Sequence, residues 1–179
     1  LEARAASQLD HSNIVRIYDY GIDEKLAIAY IAMEFLRGES LRAILTQRTR
    51  LPEREACLLL AQVAKALVNA HGAGIIHRDL KPANINVRDV ALGEVEAKVL
   101  DFGLAKLASD EFTDTDGLTE TGMAVGTPYY MSPEQMTGKP VDFRSDLYSL
   151  GCVLFELVEG RRPYQATGRM ELAMKHAQA

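Results

Sequence analysis

Cysteine is scarce in this 179-residue chain, long apolar runs are absent, and positive charge is in the minority. The two cysteines, Cys57 and Cys152, both lie inside apolar stretches, which reads as reduced core residues rather than a disulfide framework. No apolar run reaches the length that spans a bilayer, and no signal-peptide pattern opens the sequence, so a cytoplasmic setting is expected. A longer parent could still be anchored to a membrane. With 20 Lys and Arg against 25 Asp and Glu, the net charge of −5 argues against a general nucleic-acid binder. Internal repeats and low-complexity linkers are missing too. So are ordinary ends: Leu1 is not an initiator methionine, "LEARAASQL" begins mid-pattern, and "ELAMKHAQA" stops inside a helix-like run without a cap. The expectation is a fragment cut at both ends.

What is present is a foldable chain. Hydrophobic residues make up 47%, enough for a sizeable core, and the length suits one domain or one large lobe plus part of another. Residues 1–9 read as helix. "NIVRIYDYG" (13–21) and "KLAIAYIAMEF" (25–35) read as a strand and a second, more buried strand, joined by a hairpin-like turn. A short helix should start at Ser40, a good N-cap residue. The clearest helix covers 52–71, with Pro52, Glu53 and Glu55 in its first turn and Ala56, Leu59, Leu60, Val63, Leu67 and Ala70 on one face. "NINV" (84–87) and "AKVL" (97–100) read as two short strands. Residues 104–128 lack periodicity and hold five acids and no base from Asp110 to Thr121, as a mobile loop would. Residues 145–160 are helical and apolar nearly all round, which predicts a buried helix.

One stretch stands apart. "GIIHRDLKPANINV" (74–87) places His77, Arg78, Asp79, Lys81 and Asn84 between apolar edges. A surface turn could hold these groups, and so could an active site. A hairpin of the two short strands would bring Asn84 next to Asp101, which opens "DFGLA". Both types are also ordinary hairpin-end residues. As a pair of hard oxygen donors they suit Mg²⁺ bound to substrate phosphates. Asp79 could then accept a proton from a hydroxyl, and Lys81 could supply a point charge to a phosphoryl group.

"HRDLKPAN", "DFG" and "GTPYYMSPE" resemble the catalytic loop, metal-binding loop and end of the activation segment of protein kinases, in order and over nearly the whole chain. The style of "HSNIVRIYDYG" and "YYMSPEQ" is similar to bacterial eukaryotic-like serine/threonine kinases. The resemblance implies an α+β, two-lobed, truncated protein kinase-like fold with a mostly helical large lobe. Residues 1–33 would be the remainder of the small lobe, 34–38 the hinge, and 39–179 an incomplete large lobe with catalytic loop 77–84 and activation segment 101–134.

It also implies roles. Asp79 resembles the catalytic base, Lys81 the γ-phosphate contact, and Asn84 and Asp101 the ligands of Mg²⁺, with Mn²⁺ as a substitute. Thr127 resembles the threonine that bonds the catalytic loop. Met33 looks like the gatekeeper, with backbone groups of Glu34 and Leu36 binding the adenine of ATP. Asn86 stands where the family usually offers an apolar floor to that ring. Ser132 replaces the alanine of the usual Ala-Pro-Glu, in which Glu134 is the acid. Asp146 resembles the acid that holds the catalytic-loop backbone, and Glu2 the small-lobe helix glutamate, whose lysine partner and Gly-rich loop would lie upstream. His77 is expected as a core histidine under Phe102, in a column continuing through Ala6 and Ile17; His11, His71 and His176 are expected to be structural or exposed. Thr119 and Thr121 resemble an autophosphorylation pair, with Arg78 as their phosphate partner.

The implied function is transfer of the ATP γ-phosphate to Ser or Thr of protein substrates by the intact parent, with a homodimer for autophosphorylation and no nucleic-acid partner. The fragment alone is expected to be inactive. The alternative is a pseudokinase or scaffold module without turnover, against which intact Asp79, Asn84 and Asp101 argue. A kinase of small molecules is disfavoured by the "GTPYYMSPE" segment, which suits docking of a peptide.

Overall fold

The computed structural model describes residues 9–23, 25–26, 28–90, 94–102 and 128–178. The expected first helix, Glu2, Ala6, the acidic loop, Thr119, Thr121 and Thr127 lie outside the described residues. The architecture is α+β, with two small antiparallel sheets and a helical body.

Strands β1 (Ile17–Asp23) and β2 (Ile28–Met33) form the first sheet, pairing Ile17 with Met33 and Asp23 with Ile28. The strand expected from Asn13 starts later. Ile14 instead bridges Val99 in parallel, and the Val15 amide donates to the Val99 carbonyl at 2.9 Å. The expectation that β2 would be the more buried strand is corrected, since every one of its residues is exposed. The cause is that β1 and β2 pair only with each other among the described residues, so Ile28, Tyr30, Ile31 and Met33 meet no covering layer.

The second sheet orders β3 (Glu39–Ser40), β4 (Ile85–Val90) and β5 (Glu94–Val99). Glu39 pairs with Val87, and the chain reaches it through Gly38 at φ +98°. A Cβ there would stand 2.2 Å from the Val87 carbonyl oxygen, so only glycine lets the two backbones approach.

Helix α1 (Leu41–Arg48) begins where its cap says it should, with the Ser40 side chain accepting from the Ala43 amide at 3.2 Å. Helix α2 (Glu53–Gly72) buries the whole expected face plus Ala66, packing against β5 and a later helix. Burial of Leu59, Leu60, Val63 and Leu67 contributes about 1.5–3 kcal/mol each, while Leu58 stays exposed. Cys57 sits one position off this face and is exposed, so its expected core place is corrected; Cys152 is buried as expected.

A 3₁₀ turn at Pro128–Tyr130 leads to the short α3 (Pro133–Met136) and to α4 (Phe143–Glu159), which Asp142 caps and left-handed Gly160 ends. Helix α5 (Arg169–Ala177) follows. Helix α4 is not buried all round, as its apolar sequence suggested. Phe143, Leu147 and Leu154 are exposed, while Ser145, Asp146, Ser149 and Glu156 lie on its buried face. Each buried polar group bonds a segment that packs on the helix, and Cys152, Val153 and Leu157 share that buried side. Among the described residues no helix is long and apolar enough to cross a membrane.

Candidate active site

The stretch from His77 to Asn84 hangs from the buried face of α4. Asp146 is fully buried and has three partners. Its Oδ2 accepts from the His77 amide at 2.9 Å and lies 2.7 Å from His71 Nε2, and its Oδ1 accepts from the Arg78 amide at 2.9 Å. These bonds hold Arg78 at φ +66°, a left-handed conformation that costs a side-chain-bearing residue about 1–3 kcal/mol. Gln135 secures the far side. Its side-chain oxygen accepts from the Ser132 amide within a capping box, while its nitrogen donates to the Arg78 carbonyl at 2.6 Å. A glutamate could cap this helix but could not make the second bond.

His77 is a core residue, as the sequence suggested. It is completely buried, with its ring 4.8 Å from that of Phe102. Nδ1 accepts from the Asp79 amide at 3.2 Å, so Nε2 carries the proton and donates to the Leu100 carbonyl at 2.8 Å. Burial pushes its pKa down, which keeps the ring neutral despite nearby Asp146, Asp79 and Asp101. It therefore orients the loop and is not placed to act as a base.

Asp79 faces outward with a third of its side chain exposed. Lys81 Nζ donates to its Oδ2 at 2.6 Å, and Asn84 Nδ2 donates to the same oxygen at 3.2 Å and to the Asp79 carbonyl at 2.9 Å. With its amide nitrogen so engaged, Asn84 has its Oδ1 to offer a ligand. The β4–β5 hairpin brings the Asn84 backbone next to Asp101. Ile85 pairs with Val99, and the Leu100 amide donates to the Asn84 carbonyl at 2.9 Å, one residue before Asp101 at φ +61°. Among the described residues no three His, Cys, Asp or Glu side chains converge as a metal site built wholly from them would need. Two hard oxygen donors are what a cation keeping waters and phosphate oxygens takes from a protein, so the donor set fits a divalent metal of the magnesium type.

The segment expected to be a hinge borders a cavity of about 200 Å³, walled by Glu34, Leu36, Asn86, Arg88, Glu96 and Lys98 among others. Asn86 is half-buried and opens onto it, so water or a ligand can reach its amide. Met33, Asp79, Asn84 and Asp101 are not in that wall. Lys98 went unnoticed in the sequence. It pairs with Asn86 across the hairpin and donates to both Glu34 oxygens at 2.7 and 2.9 Å. Burial raises the Glu34 pKa, but the bonds from Lys98 and the Arg16 amide outweigh it and hold the carboxyl below its usual range. The register that joins Asn84 to Asp101 also fixes Asn86 opposite Lys98, so pairing alone could have found it. His71 is structural, as expected, through its contact with Asp146; Gln135 and Glu156 were missed, since they lie far from the loop in sequence and carry no spacing signal.

Ser132, which stands for the family's alanine, is wholly buried; it caps α3 and donates to Ser145 Oγ at 3.0 Å. Ser145 in turn bonds Glu134, and chiefly through that bond keeps its carboxyl below the usual range.

Comparison with known proteins agrees with this arrangement. The family model described as protein kinase domain matches residues 1–179. Serine/threonine-protein kinase pkn3 of Myxococcus xanthus is 45% identical over 175 residues, covering 98% of this chain and 32% of that protein. Probable serine/threonine-protein kinase PknB of Corynebacterium glutamicum is 41% identical over 179 residues, 99% of this chain and 27% of that protein. Serine/threonine-protein kinase PknA of Mycobacterium tuberculosis is 40% identical over 178 residues, 98% of this chain and 39% of that protein. The chain thus spans well under half the length of these relatives. A catalytic-loop signature held by a buried helix aspartate, a hairpin joining Asn84 to Asp101, and a family match from end to end lead to one statement: the chain belongs to the protein kinase family.

Proposed function

We propose that this chain is the catalytic part of a serine/threonine protein kinase, moving the γ-phosphate of ATP to Ser or Thr hydroxyls of proteins. The observation that carries this reading is the Asp79 carboxylate bonded to both Lys81 and Asn84, with Asn84 brought by the hairpin to Asp101. The names of the relatives, all serine/threonine-protein kinases, support it.

In this reading Asp79 orients the acceptor hydroxyl and takes its proton as the new O–P bond forms and the bond to ADP breaks. Lys81 balances charge on the phosphoryl group in flight. Mg²⁺, or Mn²⁺ in its place, would neutralise the phosphate oxygens while held by Asn84 Oδ1 and the Asp101 carboxylate. Glu34 has its amide engaged with the Arg16 carbonyl at 2.9 Å, so its carbonyl is the group it offers adenine, beside Leu36, Asn86 and gatekeeper Met33. Thr127 is assigned to the catalytic loop, Glu2 to a lysine pair, and Thr119 and Thr121 to phosphorylation read by Arg78, within a homodimer. The setting is the cytoplasm, where ATP is.

Thermal unfolding with a non-hydrolysable ATP analogue tests the site. At a hundredfold excess over Kd, binding adds about 2.7 kcal/mol, or roughly 5–10 °C in Tm for a chain of this size. The shift should need Mg²⁺ and shrink to near zero in Asp101→Asn. An equal shift in chelator, or in the variant, would contradict the assignment.

A further inference from the structure

Away from the phosphate site, α1, the 3₁₀ turn and α4 meet at one buried carboxylate. Glu156 is 6% exposed and both its oxygens are occupied. Arg42 donates to Oε1 at 2.9 Å and to Oε2 at 3.1 Å, and the Tyr130 hydroxyl also bonds Oε2. A second guanidinium stands close by. Arg162 Nε lies 3.8 Å from Glu156 Oε1, and the Arg162 guanidinium carbon sits 3.9 Å over the Tyr129 ring.

The charges do not cancel. Tyr130 remains a neutral phenol, since burial first, and then Glu156, push its pKa up to about 12. Among the described residues one carboxylate therefore faces two arginines, which leaves one positive charge in excess. The neighbouring Arg161 has its own acid, Glu159, at 4.0 Å and adds nothing. Arg42 is bonded bidentately to the carboxylate, whereas Arg162 makes the longer contact to it and a bond to the neutral Tyr130 phenol, so the surplus resides on Arg162. Its side chain is 33% exposed, within reach of a bound molecule.

Tyr129 and Tyr130 belong to the segment that suits peptide docking, and Gln135 of that segment bonds the catalytic loop at Arg78. We infer that Arg162, backed by the Arg42–Glu156 pair, selects protein substrates carrying an acidic side chain close to the acceptor residue. This rests on the kinase reading above. A basic side chain meets the opposite situation: it would have to displace Arg42 from a carboxylate already fully bonded, and it would face the excess positive charge while doing so. A lone surface pair is worth up to about 1 kcal/mol, which sets the size of the effect at about three- to fivefold in affinity.

The test is fluorescence anisotropy with labelled Ser/Thr peptides that differ only in flanking Glu, Gln or Lys, measured on this chain with Mg²⁺ and the ATP analogue. The acidic peptide should bind about three- to fivefold tighter than the neutral one and tighter still than the basic one, with the preference weakening as salt rises. Arg162→Glu should reverse the order, and Arg162→Gln, the milder change, should erase it. A preference for the basic peptide, or an acidic preference that survives both variants, would overturn the inference. So would equal binding of all three peptides by a chain that still binds Mg²⁺ and nucleotide. Loss of nucleotide binding in the parent chain would instead count against the kinase reading itself. A role of Arg162 in packing alone would weaken all three peptides alike and leave their order unchanged.

Discussion

Replacing Asp146 by alanine is expected to lower the unfolding free energy by about 3–5 kcal/mol. The side chain is completely buried and bonds the amides of His77 and Arg78 as well as the His71 ring. Removing it strands two backbone donors in a buried turn, and each such orphan costs about 1–3 kcal/mol. The same turn holds Arg78 at positive φ, a strain the lost bonds no longer oppose. Asp146→Asn keeps one acceptor oxygen but aims an NH₂ group at a donor, so its loss should fall between wild type and alanine. Urea unfolding measures this as a lower midpoint at unchanged slope. A loss under 1 kcal/mol for the alanine variant would mean that the catalytic loop holds its shape without α4.

Asp79→Asn is the opposite kind of variant. The side chain is one-third exposed and its partner Lys81 is also near solvent, so stability should stay within about 1 kcal/mol of wild type. Activity should not. In the full protein that carries this chain, the amide can still accept a hydrogen bond from the acceptor hydroxyl but cannot take its proton at neutral pH. The kcat for peptide phosphorylation should fall by about 10²–10⁴-fold. The KM for ATP should change little, because Asp79 lies outside the wall of the cavity beside the hinge. A drop of less than tenfold would remove Asp79 from the proton-transfer role and favour a scaffold reading.

The two variants separate what the sequence could tell from what it could not. The closeness of Asn84 and Asp101 along the fold is legible because the chain between them is a hairpin of short strands, and pairing rules bring its ends together. The α2 face is legible for a similar reason, since its spacing repeats at the helical period and all six expected positions are buried. Burial of β2 was misread because apolar content sets a demand for cover, while cover depends on which other elements are at hand. Helix α4 was misread in the same way. Its function lies in the polar residues, and hydrophobicity averaged over the helix hides that Asp146, Ser149 and Glu156 share the buried side. Lys98 and Gln135 were illegible because each matters through a partner distant along the chain, Glu34 and Arg78.

Everything proposed for the reaction depends on Asn84 and Asp101 gripping the same cation. The most direct test is a crystal structure of this chain with Mn²⁺ and a non-hydrolysable ATP analogue, with anomalous scattering used to place the metal. The expected result is one ion within about 2.0–2.3 Å of both Asn84 Oδ1 and an Asp101 carboxylate oxygen, bridging to phosphate oxygens, with Asp79 near it but unligated. Nucleotide bound with the metal held by neither residue, or by phosphate and water alone, would contradict it.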